Sequence, residues 1–220
     1  VKRIARVIST NVAAPLADPG GAGRKSGIDK RPEPCITVFR PGPNYGDGSG
    51  VEGDFIGDTK WHGGEHKAVY GFAREELNYW EGRLGRGLAD GSFGENLTTE
   101  GVVWKDALIG QRFRVGEAML EVSIPRTPCR TFAGWLGERG WLKMFSERGD
   151  AGSYFRVIEG GTIAAGDEIT FEGSPKHDVT MGMAYRAKMG DLELARHIVK
   201  VGCLPEVHQV QLIEMLDKRG

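Results

Sequence analysis

The sequence predicts a mainly β domain followed by a small helical one, and three observations carry that prediction. Thirty-four glycines in 220 residues fall mostly between short β-like runs, the punctuation of an all-β domain with many turns. The run from Ala118 to Ile124 sets Ala118, Leu120, Val122 and Ile124 against Met119, Glu121 and Ser123, a period of two. After Gly173-Ser174-Pro175 the alternation stops and helical spacing takes over. The expected division is residues 1–174 for the β domain and 175–220 for a three-helix domain.

Taken in order, Arg3 to Ser9 reads as a first strand and Asn11 to Gly23, rich in Pro, Gly, Ala and Asp, as a loop. Gly23 to Pro32 is a basic stretch, either a solvated loop or an anion-binding strip through Lys25 and Lys30. Cys35 to Arg40 reads as a second strand, and Pro41 to Asp54 as a Gly- and Pro-rich loop. Ala68 to Phe72 is an apolar strand approached through Trp61-His62-Gly63-Gly64-Glu65-His66-Lys67. Gly63 and Gly64 let backbone approach a ligand closely, and successive exposed N–H groups hold anions. His62 and His66 stand four apart, but the glycines disfavour a helix between them and no third ligand is near, which argues against zinc.

Arg74 to Leu84 places Leu77, Trp80 and Leu84 at helical spacing, with Glu75 and Glu76 in the first turn, and reads as a packing helix. Gly91 to Thr99 is a polar turn running into a strand. Its Glu95 and Asn96 either bond their own backbone or project into a pocket. Arg112 to Val115 and Ala118 to Ile124 are strands, Phe132 to Gly137 and Trp141 to Arg148 short helices, and Ser153 to Glu159 and Ile169 to Phe171 the closing strands. In the tail Asp178 caps a helix running to about Met189. Asp191 caps a second, with Leu192, Ala195, Ile198 and Val199 on one face. Pro205 opens a third, with Val207, Val210, Ile213 and Leu216 as its apolar face.

Ile124 to Phe132 holds the densest chemistry. Pro125 and Pro128 stiffen the approach to Cys129, and Arg126 and Arg130 flank it with permanent positive charge. A cation beside a cysteine favours the thiolate, the form that attacks or binds a soft metal. The alternative is an inert cysteine packed in a corner.

The totals exclude several classes. Basic and acidic side chains nearly cancel, 29 against 30, which suggests no nucleic-acid or membrane surface. The last two helices offer only Arg196, His197, Lys200, Lys218 and Arg219, a poor phosphate-binding face, so nucleic acid is an unlikely partner. No apolar run approaches a membrane span, Val1 to Thr10 lacks the regions of a signal peptide, and Cys35, Cys129 and Cys203 are scattered without a C-x-x-C. The expectation is a cytoplasmic protein with neither disulfide framework nor structural zinc.

Four pieces stand in order: a Gly-Asp ahead of His62-Gly63-Gly64-x-x-Lys67-Ala68-Val69-Tyr70, then Phe93-Gly94-Glu95-Asn96-Leu97-Thr98, then Pro125-Arg126-x-Pro128-Cys129, then Gly152-x-x-x-Arg156-Val157-x-x-Gly160-Gly161-x-Ile163-x-Ala165-Gly166-Asp167. Together they resemble the MOSC domain, and within it the stand-alone bacterial proteins of the YiiM type with a C-terminal three-helix extension. The resemblance implies a β-barrel-like fold and the molybdenum cofactor (Mo-molybdopterin), with Cys129 as the metal ligand and, with His62, a catalytic residue. Arg126, Arg130, Lys67, Lys25, Gly63, Gly64, Glu95 and Asn96 become candidates for holding the cofactor. It further implies reduction of small N-hydroxylated compounds, of the hydroxylaminopurine or hydroxylamine type. No iron–sulfur or dinucleotide motif is present, so a separate reductase would supply electrons. The alternative is a non-catalytic carrier of a persulfide on Cys129, or of the cofactor. The tail is open to docking on the barrel, contacting a partner or forming a homodimer. Two positions depart from the pattern: His66 stands where an acid is common, which would alter the rim, and Thr131 where lysine is frequent. The Pro41 to Gly50 part of the loop is long against the same pattern and is expected to form part of an entrance.

Overall fold

The computed structural model describes residues 4–219. Arg3, the expected start of the first strand, lies outside them. Twelve strands are present among the described residues: β1 (Arg6–Ala13), β2 (Leu16–Ala17), β3 (Lys25–Ser26), β4 (Lys30–Glu33), β5 (Cys35–Val38), β6 (Val69–Ala73), β7 (Leu97–Glu100), β8 (Arg112–Val115), β9 (Ala118–Ile124), β10 (Ser153–Glu159), β11 (Gly161–Ala164) and β12 (Ile169–Glu172). Six helices accompany them: α1 (Arg74–Leu84), α2 (Arg130–Leu136), α3 (Trp141–Arg148), α4 (Met181–Lys188), α5 (Leu192–Val201) and α6 (Glu206–Arg219).

Eight strands form one sheet in the order β12-β8-β9-β10-β6-β7-β1-β4. All its neighbours are antiparallel except β6 and β7, which are parallel and joined through α1. The sheet curls. Near the far flank, β1 meets the chain entering β12: Val7 N–H donates to Asp167 O (2.9 Å) and Ile169 N–H to Ala5 O (2.8 Å). These bonds make the sheet barrel-like without a continuous closing ladder. The mainly β fold is as the sequence predicts.

The core has two parts. Inside the sheet, Trp104, Phe113 and Phe155 meet with ring centroids 4.7 to 5.4 Å apart. Burying each such side chain contributes about 1.5–3 kcal/mol. Outside it, Phe93, Phe132, Trp141 and Phe145 form a second cluster with Trp80, which fixes α2 and α3 against α1. β9 is buried along its whole length, because elements cover both its faces. Its Glu121 is tolerated there by Arg112 (2.9 Å) and Arg156 (2.5 Å).

Several expectations need correction. β1 continues to Ala13 through the buried Ser9, Thr10 and Asn11, because the Asn11 amide bonds Thr98 Oγ1 (3.1 Å) across the sheet and accepts from Ser9 Oγ (2.8 Å). The expected basic loop contains β3 and β4, with Pro32 on the outermost strand, where its missing N–H costs nothing. Thr180, not Asp178, caps α4 by accepting from Met183 N–H (3.2 Å); Asp178 instead accepts from His197 (2.7 Å). Asp191 caps α5 as expected, accepting from Leu194 N–H (3.1 Å). On α6 three of the four residues of the expected apolar face are turned outward, and of the four only Leu216 packs on the core. Val207, Val210 and Ile213 are exposed, while His208 and Leu212 are buried. Met181, Ala184, Ala187, Ala195, Ile198 and Leu212 of α4 to α6 belong to the same buried cluster as the sheet interior.

Candidate functional site

A cavity of about 390 Å³ opens beside the sheet, between the 18–30 segment, the 49–63 loop and the start of α2. It brings together Cys129, Arg126, Arg130, Lys67, Lys25, Lys30, His62, Gly63 and Asn96, which the sequence scatters over more than a hundred positions. Gly64 and Glu95 do not line it.

Cys129 is the residue that precedes α2, held extended at φ −137° and ψ 168°, and it is partly exposed to the cavity. The segment around it is clamped from outside. Thr131 Oγ1 donates to the buried Asp18 carboxylate (3.0 Å), which also accepts from Gly20 N–H (2.7 Å). A Cβ on Gly20 would meet Thr131 N at 2.7 Å, and one on Gly134 would meet Pro19 O at 2.1 Å. Only glycines allow this loop to lie flat on α2 and so fix the cysteine's position.

Arg126 is 5% exposed. Its guanidinium donates to Phe93 O and lies over the rings of Phe132 (4.1 Å) and Tyr70 (5.1 Å). Burial opposes its charge, but the oxygens of Tyr70 and Tyr154 and the Cys129 sulfur outweigh it and raise its pKa. Lys67 donates to Trp61 O and sits over the rings of Tyr45 (4.7 Å) and Tyr154 (5.6 Å). Burial first, and then the charge of Lys188, bring its pKa down to about 8. Arg130 is exposed and reaches Gly20 O (3.2 Å).

Six cationic side chains line the cavity (Arg24, Lys25, Lys30, Lys67, Arg126, Arg130) against three carboxylates (Asp18, Asp54, Asp58). The carboxylates are already taken. Asp54 holds Lys30, and Arg24 spans Asp58 (2.8 Å) and Asp18 (3.4 Å). Among the described residues, Lys25, Lys67, Arg126 and Arg130 have no carboxylate partner. A concave site with surplus positive charge, exposed at Lys25 and Arg130, half-buried at Lys67 and buried at Arg126, suits an anion.

His62 is kept neutral. Burial, then Lys67, Arg126 and Arg24, push its pKa down to about 3. Its Nδ1 lies 3.4 Å from Tyr154 Oη, whose own pKa burial raises to about 12. The pair offers the cavity a protonated phenol beside an uncharged imidazole.

Glu95 is fully buried and accepts from Gly91 N–H (2.7 Å), Phe93 N–H (2.9 Å) and Thr98 Oγ1 (2.9 Å). It builds the turn whose Phe93 carbonyl receives Arg126. Gly64 is also a packing residue: its N–H is spent on Gly48 O (2.9 Å), and a Cβ would meet Asn44 O at 2.1 Å. Gly63 lines the cavity, yet its backbone likewise crowds Gly48. The two glycines serve loop packing. Asn96 bonds Asp54 Oδ2 (3.0 Å) and Asn11 O (3.2 Å), tying the cavity wall to β1. His66 is not on this rim; it accepts from Arg156 Nε (3.1 Å) on the other side of the loop. Of the expected entrance loop, Pro41 to Gly50, only Ser49 lines the cavity. Tyr70, Tyr154, Arg24 and Asp58 line the cavity beyond the candidates named from sequence; Tyr70 ends the His62–Tyr70 motif and Arg24 stands in the basic stretch, whereas no local spacing marks Tyr154.

A molybdenum pterin fits these donors. Among the described residues no group of three or more His, Cys, Asp or Glu side chains could hold a metal ion by itself. A metal carried on an organic ligand needs only one protein donor, and a thiol is a soft one. The unpaired cations suit the phosphate of such a ligand, and a cavity of about 390 Å³ is of ligand-binding size.

The family described as the MOSC domain matches residues 58–170. Over 217 residues the chain is 30% identical to the uncharacterized protein YflK of Bacillus subtilis, covering 96% of this chain and 95% of that one. It is 33% identical over 138 residues to a protein of Gibberella moniliformis named a reductase, covering 61% of this chain but only 24% of that one. The crystal structure of YiiM from Geobacillus stearothermophilus superposes with a TM-score of 0.75 at 25% identity, over 96% of this chain and 99% of that one. No described helix is long and apolar enough to cross a membrane.

Proposed function

The chain belongs to the MOSC domain family, and from that premise we propose that it binds the molybdenum cofactor in this cavity and reduces small N-hydroxylated compounds with electrons from a separate reductase. The observation that carries the proposal is the meeting, in one cavity of about 390 Å³, of the Cys129 thiol with the buried Arg126 and the half-buried Lys67, neither of which has a carboxylate partner among the described residues. The name of the fungal relative, a reductase, supports reduction as the reaction class.

The balance is simple: an N-hydroxylamine takes two electrons and two protons and gives the amine and water. When bound, the cofactor supplies the two-electron centre. Cys129 Sγ would give the metal its protein ligand, and Arg126 and Lys67 would hold the anionic end. Tyr154 Oη keeps a proton at the cavity wall, where the departing oxygen needs one, and His62 orients that hydroxyl without carrying charge. Among the buried groups, the Lys30–Asp54 pair and Asn96 keep the wall rigid.

The test is elemental analysis for molybdenum, on wild type and Cys129→Ser, both produced in a host that makes the cofactor. Near-stoichiometric metal in wild type, lost in the serine variant, is the expected result. Wild type free of metal overturns the proposal.

A further inference from the structure

The cavity lysine Lys67 is connected to the C-terminal helices by a partly buried polar chain, through Tyr45, His208 and Lys188, that the proposed chemistry does not use. His208 on α6 is 3% exposed. Its Nε2 lies 2.7 Å from Tyr45 Oη, and its Nδ1 lies 2.8 Å from Lys188 Nζ on α4 and 3.1 Å from Gln211 Oε1 on α6. The Tyr45 ring, set edge-on to the imidazole at 6.1 Å, in turn carries the Lys67 ammonium over its face at 4.7 Å.

The direction of the bonds follows from donor inventory. A charged Lys188 can only donate, so Nδ1 accepts from it, Nε2–H donates to Tyr45 Oη, and the Gln211 amide oxygen beside Nδ1 receives no proton from the ring. Burial, together with the charges of Lys188 and Lys67, brings the His208 pKa down to about 3, so the ring stays neutral and keeps one lone pair for Lys188. A neutral imidazole in this tautomer is the side chain that satisfies both neighbours at once. That is why a polar residue occupies a buried position on α6 while Val207, Val210 and Ile213 face outward.

We propose that the helical tail supports the cavity from behind, with Lys188 and His208 acting as positioning residues that fix Tyr45 and, through it, the Lys67 ammonium at the cavity wall. The inference rests on the cavity being an anion site only for its ligand-binding consequence. The groups facing Lys67 are Lys188 from the tail, Arg126 and Cys129 from the segment before α2, Asp58 from the preceding loop, and the Tyr45 and Tyr154 rings. Among the described residues, Tyr45 is what connects Lys67 to the tail by contact. Freeing Tyr45 therefore lets the ammonium swing from its seat, and an anion in the cavity loses an oriented donor.

Two measurements on the full chain test this. Calorimetry with inorganic phosphate should show His208→Ala binding about tenfold more weakly than wild type. His208→Gln, whose amide can donate to Tyr45 and accept from Lys188, should return to within about threefold. Combining His208→Ala with Tyr45→Phe should weaken binding no further than the worse single change, as expected for residues acting in one chain. The second measurement needs no ligand: the rate of reductive methylation of Lys67, read by mass spectrometry, should rise in His208→Ala and stay near wild type in His208→Gln. If wild type binds no phosphate, the anion reading falls while the methylation rates still decide the tail's role. A Lys67 rate that is the same in wild type and His208→Ala overturns the proposal.

Discussion

Two lysines in one cavity wall are treated in opposite ways. Lys30 has a dedicated counter-ion: Asp54, which also accepts from Ser49 Oγ (3.0 Å), Asn96 Nδ2 (3.0 Å) and Ala13 N–H (2.9 Å). Burial pulls the Lys30 pKa down; it also pushes Asp54 up, but Lys30 and the other donors outweigh that and hold the carboxyl below its usual range. With every carboxylate lone pair spoken for, the pair is ionic. Lys67 has a carbonyl, two aromatic faces and a second amine nearby, and no carboxylate contact. The difference separates charge that serves the fold from charge that, under the proposed function, serves a ligand. The largest expected effect breaks the first kind: Asp54→Ala leaves a buried ammonium alone and should cost about 3–5 kcal/mol of stability. Lys67→Met, which removes an unpaired charge, should cost nothing or stabilise by up to about 1 kcal/mol. Urea unfolding of the two variants side by side checks the contrast, and equal losses would erase it.

Arg126 sharpens the same comparison from the ligand side. Arg126→Met keeps a stem against Phe132 and leaves Phe93 O without its donor, a loss of about 1–2 kcal/mol in stability. Phosphate affinity should fall at least about thirtyfold, or about 2 kcal/mol, because a desolvated charged donor is gone. Calorimetry and urea unfolding on one preparation separate the two numbers. A stability loss matching that of Asp54→Ala with phosphate binding intact would place Arg126 with the fold instead.

The paired side of the wall was the harder one to read in the sequence. Cys129 and Arg126 are close in the chain, so their chemistry is visible as a string. Asp54 and Lys30 meet only after β1, β4 and the 49–63 loop are in place. Strong periodicity gave the elements that depend on it: Arg74–Leu84, Ala118–Ile124 and Trp141–Arg148 stand with the boundaries that apolar spacing predicts. It failed where tertiary partners override hydropathy. Ser9, Thr10 and Asn11 look like the end of a strand, yet they are buried and bonded across the sheet. On α6, Val207, Val210 and Ile213 look like the inner face, but Tyr45, 163 positions from His208, draws the imidazole inward and turns that stripe out. Glu95 and Gly64 sit inside a recognisable motif and yet serve packing, because a motif records what a turn needs as well as what a ligand needs.

The two buried histidines extend the comparison to acid pH. His62 and His208 have folded-state pKa values near 3, so between about pH 6.5 and 3 the unfolded chain binds protons that the folded one refuses. Stability should therefore fall as pH drops through that window and be unaffected by these groups above it. His208→Gln should flatten the acid limb, since it removes one of the two groups. Urea midpoints at pH 7, 6, 5 and 4 give the slope, and an unchanged slope in the variant would mean that His208 is protonated in the fold.

The smallest expected effect lies on the alkaline side, where the unpaired lysine gives up its proton. With its pKa near 8, Lys67 should be about half charged at that pH, while Lys30 stays tied to Asp54. The folded state then binds fewer protons than the unfolded one between about pH 8 and 10.5, so this group makes stability rise with pH across that range. Ligand affinity should move the other way: phosphate binding should weaken a few-fold between pH 7.5 and 9. Lys67→Arg, whose guanidinium stays charged throughout, should hold its affinity over the same range. Calorimetric titrations at three pH values suffice. Parallel losses in wild type and Lys67→Arg would show that the pH dependence belongs to another group, and that the wall's two lysines differ in pairing but not in what they do for an anion.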